Sequence, residues 1–154
     1  MYRHLGFTLI ELMIVIVVLA ILVSVAYPSY KAQALRGYRA GGQEFLMDIA
    51  QREEQYMLDQ RQYATILSGN VTGSLNMTMP PEITSYYNPP VFNINNAATP
   101  PTFQISLVPI GALTGDGTLI INDQQQHWRE IDGDFVYETA TDCPWENSTC
   151  VPQP

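Results

Sequence analysis

Glu11 stands alone as a charge in an otherwise apolar run, and its type and place demand a chemical reason. From residue 7 to residue 27 the chain reads FTLIELMIVIVVLAILVSVAY. An unpaired carboxylate in hydrocarbon costs roughly 2.5 to 3.5 kcal/mol or more, so Glu11 needs either a cationic partner or a purpose. The other reactive groups are few. Cys143 and Cys150 have six residues between them in CPWENSTC. A local disulfide is the economical reading, giving roughly 2 to 3 kcal/mol by loop closure, with two free thiols as the alternative. No third and fourth ligand stands at a metal-binding spacing. Asp116, Asp123, Asp132 and Asp134 lack the regular oxygen-ligand spacing of a calcium loop, and Asp-Gly pairs are ordinary hairpin turns. The histidines are His4 and His127, with no nucleophile–base pair and no phosphate-cradling loop, so neither catalysis nor a cofactor is expected.

The elements that must carry these residues follow from the spacing of apolar side chains. Residues 7–27 are long enough, as a helix, to cross a bilayer core of roughly 30 Å. Arg3 precedes them, which leaves the N-terminus in the cytoplasm and sends the rest outward, to the oxidising side where a disulfide persists. A secretory signal peptide would have a shorter apolar region, of about 7 to 15 residues, ending at a small-residue cleavage site. Here the run is longer, ends in YPSY and contains a glutamate. Pro28 removes one helix hydrogen bond, so a kink or a melted stretch is expected there. Beyond it residues 29–63 are polar, but Leu35, Tyr38, Phe45, Leu46, Ile49, Tyr56 and Met57 recur at helical intervals and form a core-facing stripe. Gly37, Gly41 and Gly42 weaken that helix, which points to a bend or close packing near Gly41. A continuous helix would be on the order of 80 Å long, its first half bare. Such a surface must stay in lipid or pack against copies of itself.

Residues 68–101 are rich in Asn, Thr, Pro and Gly and read as a long irregular connection. Short apolar alternation predicts strands at 91–95, 102–108, 117–122 and 134–139, divided by turn signals such as Gly115-Asp116-Gly117 and Asp132-Gly133-Asp134. The expected fold is α+β, an antiparallel sheet on the second half of a long helix, in one domain of 154 residues. The net charge of -8 is unevenly spread: Arg3, Lys31, Arg36 and Arg39 lie early, and only Arg52, Arg61 and Arg129 follow. A body of that balance repels phosphate backbones, so no direct nucleic-acid binding by the body is expected.

The octet Gly6-Phe7-Thr8-Leu9-Ile10-Glu11-Leu12-Met13 resembles the signal of type IV prepilins and of the pseudopilins of type II secretion. The resemblance implies cleavage between Gly6 and Phe7 by a prepilin peptidase, N-methylation of Phe7, and pairing of Glu11 with the Phe7 amine of a neighbouring subunit during assembly. Pro28 matches the family's proline, and Ala20 stands where pilins commonly carry glycine. The stretch QREEQYMLDQRQYAT and the late Cys-Pro-Trp loop most resemble PilE-type minor pilins. The implied organisation is a leader (1–6), a transmembrane and assembly helix half (7–28) and a globular body (29–154). The body would hold a helix half at 29–63, a loop at 64–101, and the sheet and disulfide loop at 102–154. The implied function is a minor subunit of a type IV pilus serving assembly, adhesion, twitching motility or DNA uptake. Its partners would be other pilin subunits, the prepilin peptidase and the inner-membrane assembly platform. It would sit in the inner membrane as a single-pass chain before assembly and in the extracellular pilus afterwards. A pseudopilin, a major pilin and a membrane-anchored binding or catalytic domain are the alternatives; the disulfide loop favours a pilus over a pseudopilus.

Overall fold

Two long runs of helix-compatible residues, separated by Pro28, make one dominant element. The computed structural model describes residues 8–131, 133 and 143–145. Its helix, α1 (Leu9–Gln60), is 52 residues long, and the chain divides into two compact units between residues 35 and 36.

In the first unit the apolar stretch of α1 has no cover. Its large side chains from Leu9 to Val25 are exposed by between 49% (Val18) and 77% (Leu9), which no soluble core tolerates. The helix is long and apolar enough to cross a membrane. It continues through Pro28 without a melted stretch. Proline there offers no N–H to the Ser24 carbonyl one turn earlier. In the same turn the Ser24 hydroxyl donates back to the Ile21 carbonyl at 2.7 Å. Tyr27 and Tyr30 are exposed, and the Lys31 ammonium lies 5.0 Å from the Tyr27 ring centre. Aromatic and basic groups at the end of an apolar span are the usual membrane-interface anchors.

In the second unit α1 becomes amphipathic. Gly42, Phe45, Leu46, Ile49, Ala50 and Glu53 form its buried stripe, at intervals of three and four. Phe45, Leu46 and Ile49 are thus core residues as expected, whereas Tyr38, Tyr56 and Met57 are half-buried at its margins. Tyr38 stacks on Tyr86 with ring centres 3.8 Å apart. The helix ends at Gln60 rather than at 63, because Arg61 turns left-handed (φ 56°) while its N–H still reaches the Met57 carbonyl at 2.9 Å.

Among the described residues the sheet is a five-stranded antiparallel meander of β1 (Val91–Asn95), β2 (Thr102–Leu107), β3 (Thr118–Asn122), β4 (His127–Glu130) and β5 (Cys143–Pro144), ordered in space as in sequence. The first three strands lie within one residue of their predicted bounds, and β1 falls inside the 64–101 range read as loop. Weak alternation in His127–Glu130 hid β4, and the strand predicted at 134–139 lies outside the described residues. Pairings such as Ile105 with Ile121 and Leu107 with Leu119 place Phe103, Ile105, Leu107, Leu119 and Ile121 on one buried face. The helix meets this core closely at Gly42: a Cβ there would stand 2.9 Å from Tyr87 Cε2 and 3.2 Å from Leu119 Cδ1. At Gly41 it would stand 3.1 Å from Ile83 Cγ2. The close packing expected near Gly41 is therefore present, and it is tightest at Gly42, where a side chain would press on the Tyr87 ring.

Candidate assembly surface and the body that carries it

Glu11 lies in the first turn of α1 and is exposed. The Thr8 side-chain oxygen accepts the Glu11 N–H at 3.3 Å, and the Thr8 hydroxyl donates to Glu11 Oε2 at 3.4 Å. This is a capping arrangement in which the residue before the helix and the third residue within it satisfy each other. The Thr8-x-x-Glu11 spacing was there to be read. Its chemical meaning is that the carboxylate is held at the positive end of the helix, where the peptide dipoles favour an anion. Gly6 and Phe7 lie outside the described residues, so the cleavage position and the amine expected to meet Glu11 are not placed.

The body is locked by polar groups that periodicity cannot reveal. Arg39 of α1 makes a two-point contact with the Asp116 carboxylate in the turn before β3. From β4 the Arg129 Nη1 also reaches Asp116, donating to its carbonyl at 3.2 Å and to Oδ1 at 3.4 Å. Asp116 is therefore occupied by two guanidinium groups. Among the described residues no group of three or more His, Cys, Asp or Glu gathers as for a metal, and Asp132 and Asp134 lie outside that set.

At the other edge Cys143 is fully buried and disulfide-bonded. Cys150, its expected partner, lies outside the described residues. Trp145 follows β5 and donates its indole N–H to the Trp128 carbonyl at 2.8 Å. Its own carbonyl accepts from Gln43 Nε2 of α1 at 3.1 Å. His127 is exposed, packs against Trp145 with ring centres 4.7 Å apart, and has its Nδ1 3.3 Å from the Gln125 carbonyl. This residue borders an anchor and has no nucleophile beside it among the described residues.

A bare apolar helix with a capped glutamate, followed by a helix-backed meander, coincides with two family matches that abut one another. The model described as the prokaryotic N-terminal methylation motif matches residues 1–27. The model described as type IV minor pilin ComP, DNA uptake sequence receptor, matches residues 28–119. No curated protein and no solved structure matches the chain. The second match covers more than half of the sequence and meets the first without a gap, so the chain belongs to the type IV minor pilin family of ComP.

Proposed function

We propose that this minor pilin is a structural, non-enzymatic filament subunit whose precursor is clipped between Gly6 and Phe7 and methylated on the Phe7 amine. The subunit associates with other pilins and with the pilus machinery, and is anchored in the inner membrane before it enters the pilus. The finer topology is a single pass with the N-terminus in the cytoplasm, served there by the prepilin peptidase and the assembly platform. Cleavage creates a cation on Phe7, and Glu11 of a neighbouring subunit is its counter-charge, which makes a carboxylate in an apolar bundle tolerable. The observation carrying this reading is the uncovered helix: side chains half to three-quarters exposed from Leu9 to Val25 need lipid or like helices around them. Intact-mass measurement on sheared surface fibres and on membranes tests it. A species beginning at methylated Phe7, present at low abundance in the fibres, is expected. An unprocessed Met1 chain in both fractions refutes it, and a processed species confined to membranes points to a pseudopilin.

The description of the matched family supports DNA uptake as the process served. The charges of this chain argue against direct gripping of DNA by its body. Of seven basic residues, Arg39 and Arg129 are engaged with Asp116, and the net charge is -8. Fluorescence anisotropy with a labelled duplex at low salt separates the readings. No binding is expected, and a salt-sensitive affinity in the micromolar range would transfer the receptor role to this subunit.

A further inference from the structure

The buried stripe of α1 ends on a carboxylate. Glu53 is fully buried. Its Oε2 accepts the Ala64 N–H at 2.8 Å, and its Oε1 has no hydrogen-bond partner among the described residues. The ion pairs found among the described residues both belong to Asp116, and neither includes Glu53. A buried carboxylate with one hydrogen bond and no cation is costly as an anion and far less so as a neutral acid.

The groups facing it are themselves acidic. Glu54 is its neighbour on α1, and the Tyr63 phenol lies on the segment that follows the helix. Burial pushes that phenol up, assisted by Glu54, by Asp123 of the β3–β4 turn and by Glu53 itself. None of these can neutralise an ionised Glu53. Burial, partly offset by the Ala64 N–H and reinforced by Glu54, raises the Glu53 pKa from 4.5 to about 7.

The peptide bonded to Glu53 is a junction. Tyr63 exchanges two bonds with the Asn96 side chain, at 2.8 and 3.0 Å, which ties it to the turn after β1. The N–H groups of Thr65 and Ile66 both donate to the Gly73 carbonyl, and the Gly73 N–H donates to the Tyr56 hydroxyl. We infer that Glu53 is a proton-operated latch: as a neutral acid it lets residues 63–66 close on the end of α1, and as an anion, although the better acceptor for the Ala64 N–H, it is driven by its lost hydration to open them together with the 66–77 loop. In acid the body is tight, and above neutrality this corner opens.

The test uses the full chain in non-ionic detergent and compares wild type with Glu53→Gln, a neutral isostere that keeps an acceptor for Ala64. The ratio of wild-type to variant hydrogen-exchange rates at Ala64 cancels the intrinsic dependence on hydroxide. That ratio is expected to rise by on the order of 100-fold between about pH 5 and about pH 8, since opening lets Glu53 ionise at its ordinary value. A flat ratio overturns the latch. Carboxyl carbon NMR of the wild type alone decides the matter if the variant does not fold. A Glu53 midpoint near 7 supports the proposal, and one below about 6 overturns it.

Discussion

Adding one methyl group to α1 at two positions five residues apart should move stability in opposite directions. Gly37 is exposed and a Cβ built on it meets nothing within 4 Å. Gly37→Ala therefore gains the helix propensity difference alone, about 1 kcal/mol in favour of folding. At Gly42 the same gain is opposed by contacts at 2.9 and 3.1 Å to the Tyr87 ring and at 3.2 Å to Leu119 Cδ1. Tyr87 and Leu119 are both fully buried, so neither side chain can retreat into solvent. Overpacking of this kind costs typically about 1 to 3 kcal/mol, and the rigid ring places Gly42→Ala near the upper end. The net expectation is a loss of about 1 to 2 kcal/mol, so the two variants should differ by about 2 to 3 kcal/mol. Urea unfolding of the detergent-solubilised chain, followed by tryptophan fluorescence, measures both. A Gly42→Ala protein as stable as wild type, or a Gly37→Ala protein less stable, would refute the packing argument.

Replacing Asp116 by Asn removes the shared counter-charge of Arg39 and the buried Arg129, and should cost about 3 kcal/mol by urea midpoint; an unshifted midpoint contradicts it. Cys143→Ala should lower stability by roughly 2 to 3 kcal/mol, and reduction of the wild type should reproduce most of that loss in the same assay. Glu11→Gln should leave leader cleavage and solubilised stability intact while removing the subunit from sheared fibres, and wild-type incorporation would sink the assembly role. Glu53 gives a signed pH dependence. Its folded pKa of about 7 lies above the ordinary 4.5, so the folded state holds the proton in that window. Stability should fall as pH rises through it, by at most about 3 kcal/mol, and Glu53→Gln should abolish that fall.

The architecture was legible where hydrophobic spacing carries the information. The uncovered run around Glu11, the Phe45-Leu46-Ile49 stripe and the strands near 91, 102 and 118 all advertise themselves by period. What stayed hidden is carried by polar groups and backbone geometry, which apolar spacing does not mark. Glu53 occupies a core position that its charge argues against, and its burial depends on a backbone N–H eleven residues later. The Arg39–Asp116 contact joins residues 77 apart, and nothing local marks either partner. Asp116 looked like part of an ordinary Asp-Gly turn and proved to be an electrostatic keystone. The helix stop at Arg61 was missed because a left-handed arginine leaves no compositional trace. The Thr8–Glu11 cap, by contrast, is marked in the sequence by its Thr-x-x-Glu spacing.

The meander has a kinetic consequence. Among the described residues each strand hydrogen-bonds with the strand next to it in sequence, so pairing can proceed outward from either early turn with little loop entropy to overcome. The contacts that join α1 to this sheet are of the opposite kind, spanning 77 residues at Arg39–Asp116 and 102 at Gln43–Trp145. Pairing within the sheet is therefore expected to close short loops and docking of the helix to close long ones. Truncation from the C-terminus, which removes the Trp145 end of the Gln43 contact, should thus loosen the docking of the helix before it disturbs the pairing of β1 to β3.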